Sequence, residues 1–249
     1  PEGILEGYIF SDVMWHRKRI NAFFDIAEPI NGRCIKHFQS LAKKLKISLC
    51  FGFAQRKNDE IFNSAIFIDF NGKICGIYNK LSEGTHPEWK FLRQGNKIRA
   101  FDTPFGRCGI LICSDRWYPI ISRTLVLDGA QFILIPTYGS KNKAQNRAVI
   151  ARSRENGVPI IQANVGMNLI VNKGEIEEYI FGGNEITTGF IDIPVQPSRK
   201  AVRACEKEFL KSQKKIQTNF YKTISKRLKK INRQKMSKNI LFQMDCLKN

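Results

Sequence analysis

The chain has 249 residues, 43% of them apolar and 11% aromatic, which excludes a disordered polymer and suits one large domain with a real core. The formal net charge is +19, but residues 199–249 carry 16 Lys/Arg against 3 Asp/Glu, so +13 of it belongs to the last fifth of the chain. No apolar run approaches the ~18 residues that a membrane span needs. The seven cysteines contain no C-x-x-C pair and several sit in apolar runs, which excludes a disulfide framework and a zinc site and points to a reducing, cytoplasmic setting.

In chain order, "CIKHFQSLAKKLKI" places Cys34, Phe38, Leu41 and Leu45 on one face and predicts an amphipathic helix. "ISLCFGFA" reads as a buried strand. "IFNSAIFIDF", "NGK" and "ICGIYNK" read as two strands around an Asn-Gly turn. "GRCGILIC" is a short apolar strand. "YPIISRTLVLDGA" is a helix with Pro119 at its start and Gly129 at its end. "QFILIP" is a buried strand, and "AQNRAVIARSREN" a helix closed by Gly157. "VPIIQANV", "NLIVNKGEIEEYI" and "TTGFIDIPV" read as strands with turns between them. Interleaved helices and apolar strands predict an α/β fold with a buried sheet core. Beyond Pro197 a lysine-rich helix follows, with Ile216, Phe220, Ile224, Leu228 and Ile231 as a narrow apolar stripe. The predicted units are 1–196, the α/β body, and 197–249, a basic helical extension.

The chemistry-bearing stretch is "GRCGILICSDRWYP". An apolar strand, a short polar turn and a proline-started helix can hold a side chain on a sharp elbow, with backbone N–H groups at the helix start. Cys113 there is either a nucleophile or the last residue of a core strand. No histidine is placed to serve it. His16 and His37 fall in predicted helices, and His86 stands before a proline. The base must be sought among carboxylates and lysines.

Three motifs, taken together, resemble those of the nitrilase superfamily of carbon–nitrogen hydrolases. "PEGILEGY" matches its first motif with Glu2, "GIYNK" its second with Lys80, and "ILICSDRWYP" its third with Cys113. "EWKFLRQG" matches a further glutamate, Glu88, seven residues before Gly95, with Glu83 as the neighbouring alternative. The resemblance runs in unbroken order from residue 1 to about residue 195. It implies an α-β-β-α four-layer sandwich from which this chain lacks the N-terminal strand–helix–strand, about 40 residues. The chain as it stands is therefore expected to be poorly active.

The resemblance further implies roles. Glu2 would be general base, Cys113 the nucleophile, and Lys80 with the Ser114 N–H the oxyanion donors. Glu88 would orient the substrate, and Asp115 and Arg116 would brace the elbow. It implies no cofactor and no metal, an amide, carbamoyl or nitrile small-molecule substrate with amides foremost, and a homo-oligomer of dimer size or larger. Two positions depart from the pattern. Ile120 stands where the family commonly has Glu after the proline. Glu6 replaces a small polar residue and is a candidate for the pocket rim. Trp89, Trp117 and Tyr138 are candidates for either pocket lining or core. The competing reading from another class is nucleic-acid binding through the basic, aromatic-containing tail. It is the weaker one, because the same lysines fit a solvated helix face.

Overall fold

The computed structural model describes residues 1–8, 16, 19–81, 91–139, 143–182, 186–195 and 199–232. Two compact units emerge, Pro1–Pro197 and Ser198–Asn249.

The first unit begins with the segment Pro1–Tyr8, then α1 (Ile20–Ile26) and α2 (Arg33–Leu45). Sheet A follows as β1 (Leu49–Lys57), β2 (Glu60–Ile68) and β3 (Ile74–Asn79), an antiparallel meander in the order β1-β2-β3. The predicted Asn-Gly turn joins β2 to β3. Asp69 Oδ1 fixes it by accepting from Asn71 N at 2.8 Å and Lys73 N at 2.9 Å. A second tight turn, at Asn58–Asp59, joins β1 to β2, with Asn58 at a φ of 54°. Asn tolerates this left-handed conformation because its short polar side chain bonds locally.

Sheet B has six strands: β4 (Phe101–Thr103), β5 (Gly106–Ile110), β6 (Phe132–Thr137), β7 (Ile160–Asn164), β8 (Met167–Asn172) and β9 (Glu175–Phe181), in that order. The centre, β5-β6-β7, is parallel, and both flanks are antiparallel. The parallel links are made by α3 (Pro119–Leu127) and α4 (Lys143–Asn156), as parallel pairing requires. Pro119 is the first residue of α3, where its missing N–H costs nothing.

Strand alternation sorts the side chains into layers. Phe51, Phe53, Ile66 and Ile68 pack on Ile35 and Ala42 of α2. Ala65, Phe67 and Tyr78 point the other way and meet Cys108, Ile110, Ile112 and Phe132 of sheet B. The outer face of sheet B, with Ile133, Ile135 and Ile160, packs on Ile121 and Leu125 of α3 and Val149 of α4. The result is helix, sheet, sheet, helix. Each buried Phe or Ile contributes roughly 1.5–3 kcal/mol by leaving water, so these three interfaces carry the fold.

Two sequence expectations need correction. "TTGFIDIPV" forms no strand. Its alternation is real, since Ile191 and Ile193 pack against the inter-sheet cluster while Phe190 and Val195 stand in solvent. It joins no hydrogen-bond ladder, and Pro194 O accepts from the Gln131 side chain at 2.7 Å. His16 lies outside any helix and is exposed, because the first turn of α1 begins only at Ile20. The second unit is described here by its helix α5 (Arg199–Asn232). Among the described residues, no helix is long and apolar enough to cross a membrane.

Candidate active site

Four chain segments meet at one end of the sandwich: the one carrying Glu2, and the segments that follow β3, β5 and β6. Glu2 is 1% exposed, although it stands beside the first residue of the chain. Its segment lies along β1, with Gly52 N donating to Pro1 O at 2.9 Å and Ile4 N to Gly52 O at 2.9 Å. Gly52 permits this approach, because a Cβ there would come within 2.7 Å of Glu2 Cα.

Three donors converge on the Glu2 carboxylate. Lys80 Nζ lies 3.0 Å from Oε1, Asn63 Nδ2 donates to Oε1 at 2.7 Å, and Tyr138 N donates to Oε2 at 3.0 Å. Lys80 itself is 3% exposed. Its backbone is clamped on both sides: its N–H donates to Asn63 O at 2.8 Å, and its carbonyl accepts from Gly95 N at 2.8 Å. A Cβ at Gly95 would run into the Asn79 carbonyl, so the chain passes here only as glycine.

The ladder of β5 ends at Ile110, three residues before the predicted end of the strand. Cys113 opens a one-turn 3-10 helix, Cys113–Trp117, with a φ of 46°. A non-glycine residue in the left-handed region is strained, and its neighbours must hold it there. Asp115 is such a neighbour. It is fully buried, and its Oδ2 accepts from Ile112 N at 3.0 Å and from Tyr78 Oη at 2.8 Å. The Cys113 Sγ lies 3.7 Å from Tyr138 O and 3.9 Å from Arg116 Nη2, close enough to Glu2 to feel its charge. Burial pushes this thiol up to about 12, and the Glu2 charge adds to the rise. Lys80 and Arg116 oppose it. Ser114, next in the turn, is half-buried.

The structure therefore brings together Glu2, Lys80 and Cys113, with Ser114 and Asp115 in the same turn. Glu88, Glu83, His86 and Trp89 lie outside the described residues. Trp117 and Tyr138 are half-exposed rather than core, and Tyr138 stacks on Tyr8 with ring centroids 4.1 Å apart. Glu6 is largely buried among Gly3, Tyr8 and Ala54. Its Oε1 has no hydrogen-bond partner among the described residues. Burial, with a contribution from Glu2, raises its carboxyl to about 7. Asn63 was missed by sequence reasoning, although a polar residue inside the apolar strand "EIFNSAIFI" is a signal that it has a partner. A cavity of about 500 Å³ opens beside Pro1, lined chiefly by β7 and β8 residues such as Ile161, Ala163 and Ile170. Cys113 does not line it, so it is not assigned to the reacting carbon.

The chain matches the carbon–nitrogen hydrolase family over residues 1–184. It is 34% identical to an N-carbamoylputrescine amidase of Oryza sativa subsp. japonica, over 59% of this chain and 50% of that one. It is 29% identical to a citrullinase of Francisella tularensis, over 59% and 57%. An amidase structure from Nesterenkonia sp. superposes with a TM-score of 0.61 at 19% identity, over 74% of this chain and 72% of that one. The chain spans about half to two thirds of the length of the curated relatives it matches. With more than half of its residues matched to one family, and with that family's fold, the chain belongs to the carbon–nitrogen hydrolases.

Proposed function

We propose that this carbon–nitrogen hydrolase cleaves a small-molecule amide through a Cys113 thioester, with Glu2, Lys80 and Cys113 as its reacting set. The observation that carries the reading is the buried convergence of the three, from positions 2, 80 and 113, around one carboxylate. In the reaction Glu2 takes the Cys113 proton, and the thiolate attacks the amide carbon. Lys80 and the Ser114 N–H stabilise the oxyanion, where fixed donors in a dry site count most. The tetrahedral intermediate collapses, the C–N bond breaks, and Glu2 returns the proton to the departing nitrogen. Water deprotonated by Glu2 then attacks the thioester and releases the acid, and the proton goes back to the thiol. Asp115 holds the elbow in its strained shape throughout.

In a glutamate-to-glutamine mutant of the Nesterenkonia amidase, acrylamide has added at the active-site cysteine, which supports a nucleophilic role for the cysteine in this family. A second reading, an N-carbamoyl amide as substrate, is favoured by the relatives named N-carbamoylputrescine amidase. The thioester route serves both. The test is a screen for ammonia release over amides, carbamoyl compounds and nitriles. Turnover is expected on one of the first two classes and lost in Cys113→Ala. Turnover that survives Cys113→Ala overturns the thioester route.

A further inference from the structure

Arg116 is 1% exposed and is the largest fully buried side chain among the described residues. A buried guanidinium is always charged, and leaving that charge without a counter-ion is costly. Yet no carboxylate is bonded to it among the described residues. Nη1 donates to Thr137 Oγ1 at 3.2 Å and to Gln162 Oε1 at 3.0 Å, and Nη2 donates to Gln145 Oε1 at 2.6 Å. These acceptors are all neutral. Nε has no partner. Among the described residues, the one ionisable atom within hydrogen-bonding reach of the head group is Cys113 Sγ, 3.9 Å from Nη2. The backbone is fixed as well, since Arg152 Nη1 donates to Arg116 O at 3.4 Å.

We propose that Arg116 is a second cation of the reacting centre, with the Cys113 thiolate as the directly bonded counter-ion that no carboxylate among the described residues supplies. Lys80 is already paired with Glu2. When Glu2 takes the thiol proton, that pair loses its anion while negative charge moves to sulfur. Arg116 meets the new charge through Nη2, 3.9 Å from Sγ, held in place by three neutral acceptors that do not compete for it. This division of labour leaves Lys80 available for the oxyanion of the following step. Burial resists ionisation of the thiol, and Arg116 is one of two cations that act against it. Gln145 on α4 and Thr137 and Gln162 on neighbouring strands set the guanidinium's position, so the elbow and the outer helix layer are tied to the same charge.

The inference rests on the reading of Cys113 as nucleophile, and its test does not depend on turnover. The rate of Cys113 alkylation by iodoacetamide is measured against pH by peptide mapping, in the full chain and in Arg116→Gln and Arg116→Lys. The titratable groups that face the sulfur among the described residues are Glu2, Lys80 and Arg116, and the first two are unchanged in both variants. Arg116→Gln is expected to raise the midpoint by about one unit, which is about tenfold less thiolate at neutral pH. Arg116→Lys keeps a cation but not the fork of donors, so a smaller rise is expected. A folded Gln variant with the wild-type profile overturns the proposal. If the Gln variant does not fold, a folded Lys variant with the wild-type profile overturns it instead. A bracing role alone would lower the melting temperature and leave the midpoint in place. A shifted midpoint with no amide turnover keeps this inference and removes the proposed function. An unshifted midpoint with Cys113-dependent turnover does the reverse.

Discussion

Glu2 and Glu6 sit four residues apart in one short segment, yet their surroundings differ sharply. Glu2 is met by three donors, whereas Glu6 keeps a buried oxygen with no partner among the described residues. The Glu6 carboxyl, raised by burial from its ordinary 4.5 to about 7, is proton-bound in the folded chain over a range where the unfolded chain has released that proton. Its contribution to stability is therefore complete below about pH 4.5 and is lost as pH rises through 7. Glu6→Gln is expected to remove that loss, so the variant melts higher than wild type at pH 8 and gains little at pH 4. Thermal unfolding at the two pH values checks this. Lys80 offers a second residue-level test. Lys80→Met is expected to lower kcat by about 10²–10³, as loss of an oxyanion donor does, in a steady-state ammonia assay.

At the scale of elements, much of the architecture was readable in the sequence because it rests on local rules. The alternation in "IFNSAIFI", the Asn-Gly turn and the proline at the start of α3 each have a physical cause within a few residues. The elbow was readable for the same reason. What the sequence did not show depends on contacts across the fold. "TTGFIDIPV" alternates like a strand but has no paired neighbour among the described residues, and sequence pattern alone does not reveal pairing. Asn63, Gln145 and Gln162 owe their roles to partners far away in the chain, Glu2 and Arg116, so no local motif announces them. Gly52 belongs to the same group. Its lack of a side chain matters only because Glu2 passes over it. Gly52→Ala is expected to destabilise the fold by about 1–3 kcal/mol through overpacking and to displace Glu2. Ammonia release should fall by more than the unfolded fraction accounts for, which a denaturant titration run beside the assay would show.

Over the whole molecule, the layered cores and the candidate site all draw their residues from Pro1–Pro197. Most of the excess positive charge lies beyond residue 198. A chain ended at Pro197 is expected to keep its sheet packing and its cooperative melting transition while losing most of its net charge. Circular dichroism melts and cation-exchange retention would check the two halves of that statement. Loss of the melting transition would mean that α5 supports the body.

The way Glu2 is fastened has a consequence in time as well as in space. Its segment is pinned to β1 through the N–H and carbonyl of Gly52, whereas Lys80 follows β3, paired along its length with β2, and Cys113 follows β5, which is paired on both sides. Regions held by few contacts open at a lower free energy than the core. The amides of Ile4 and Gly52 should therefore exchange with deuterium faster than those of β2 and β6. On slow heating, the catalytic lifetime should end before the sheets come apart, because Glu2, the proposed base, leaves first.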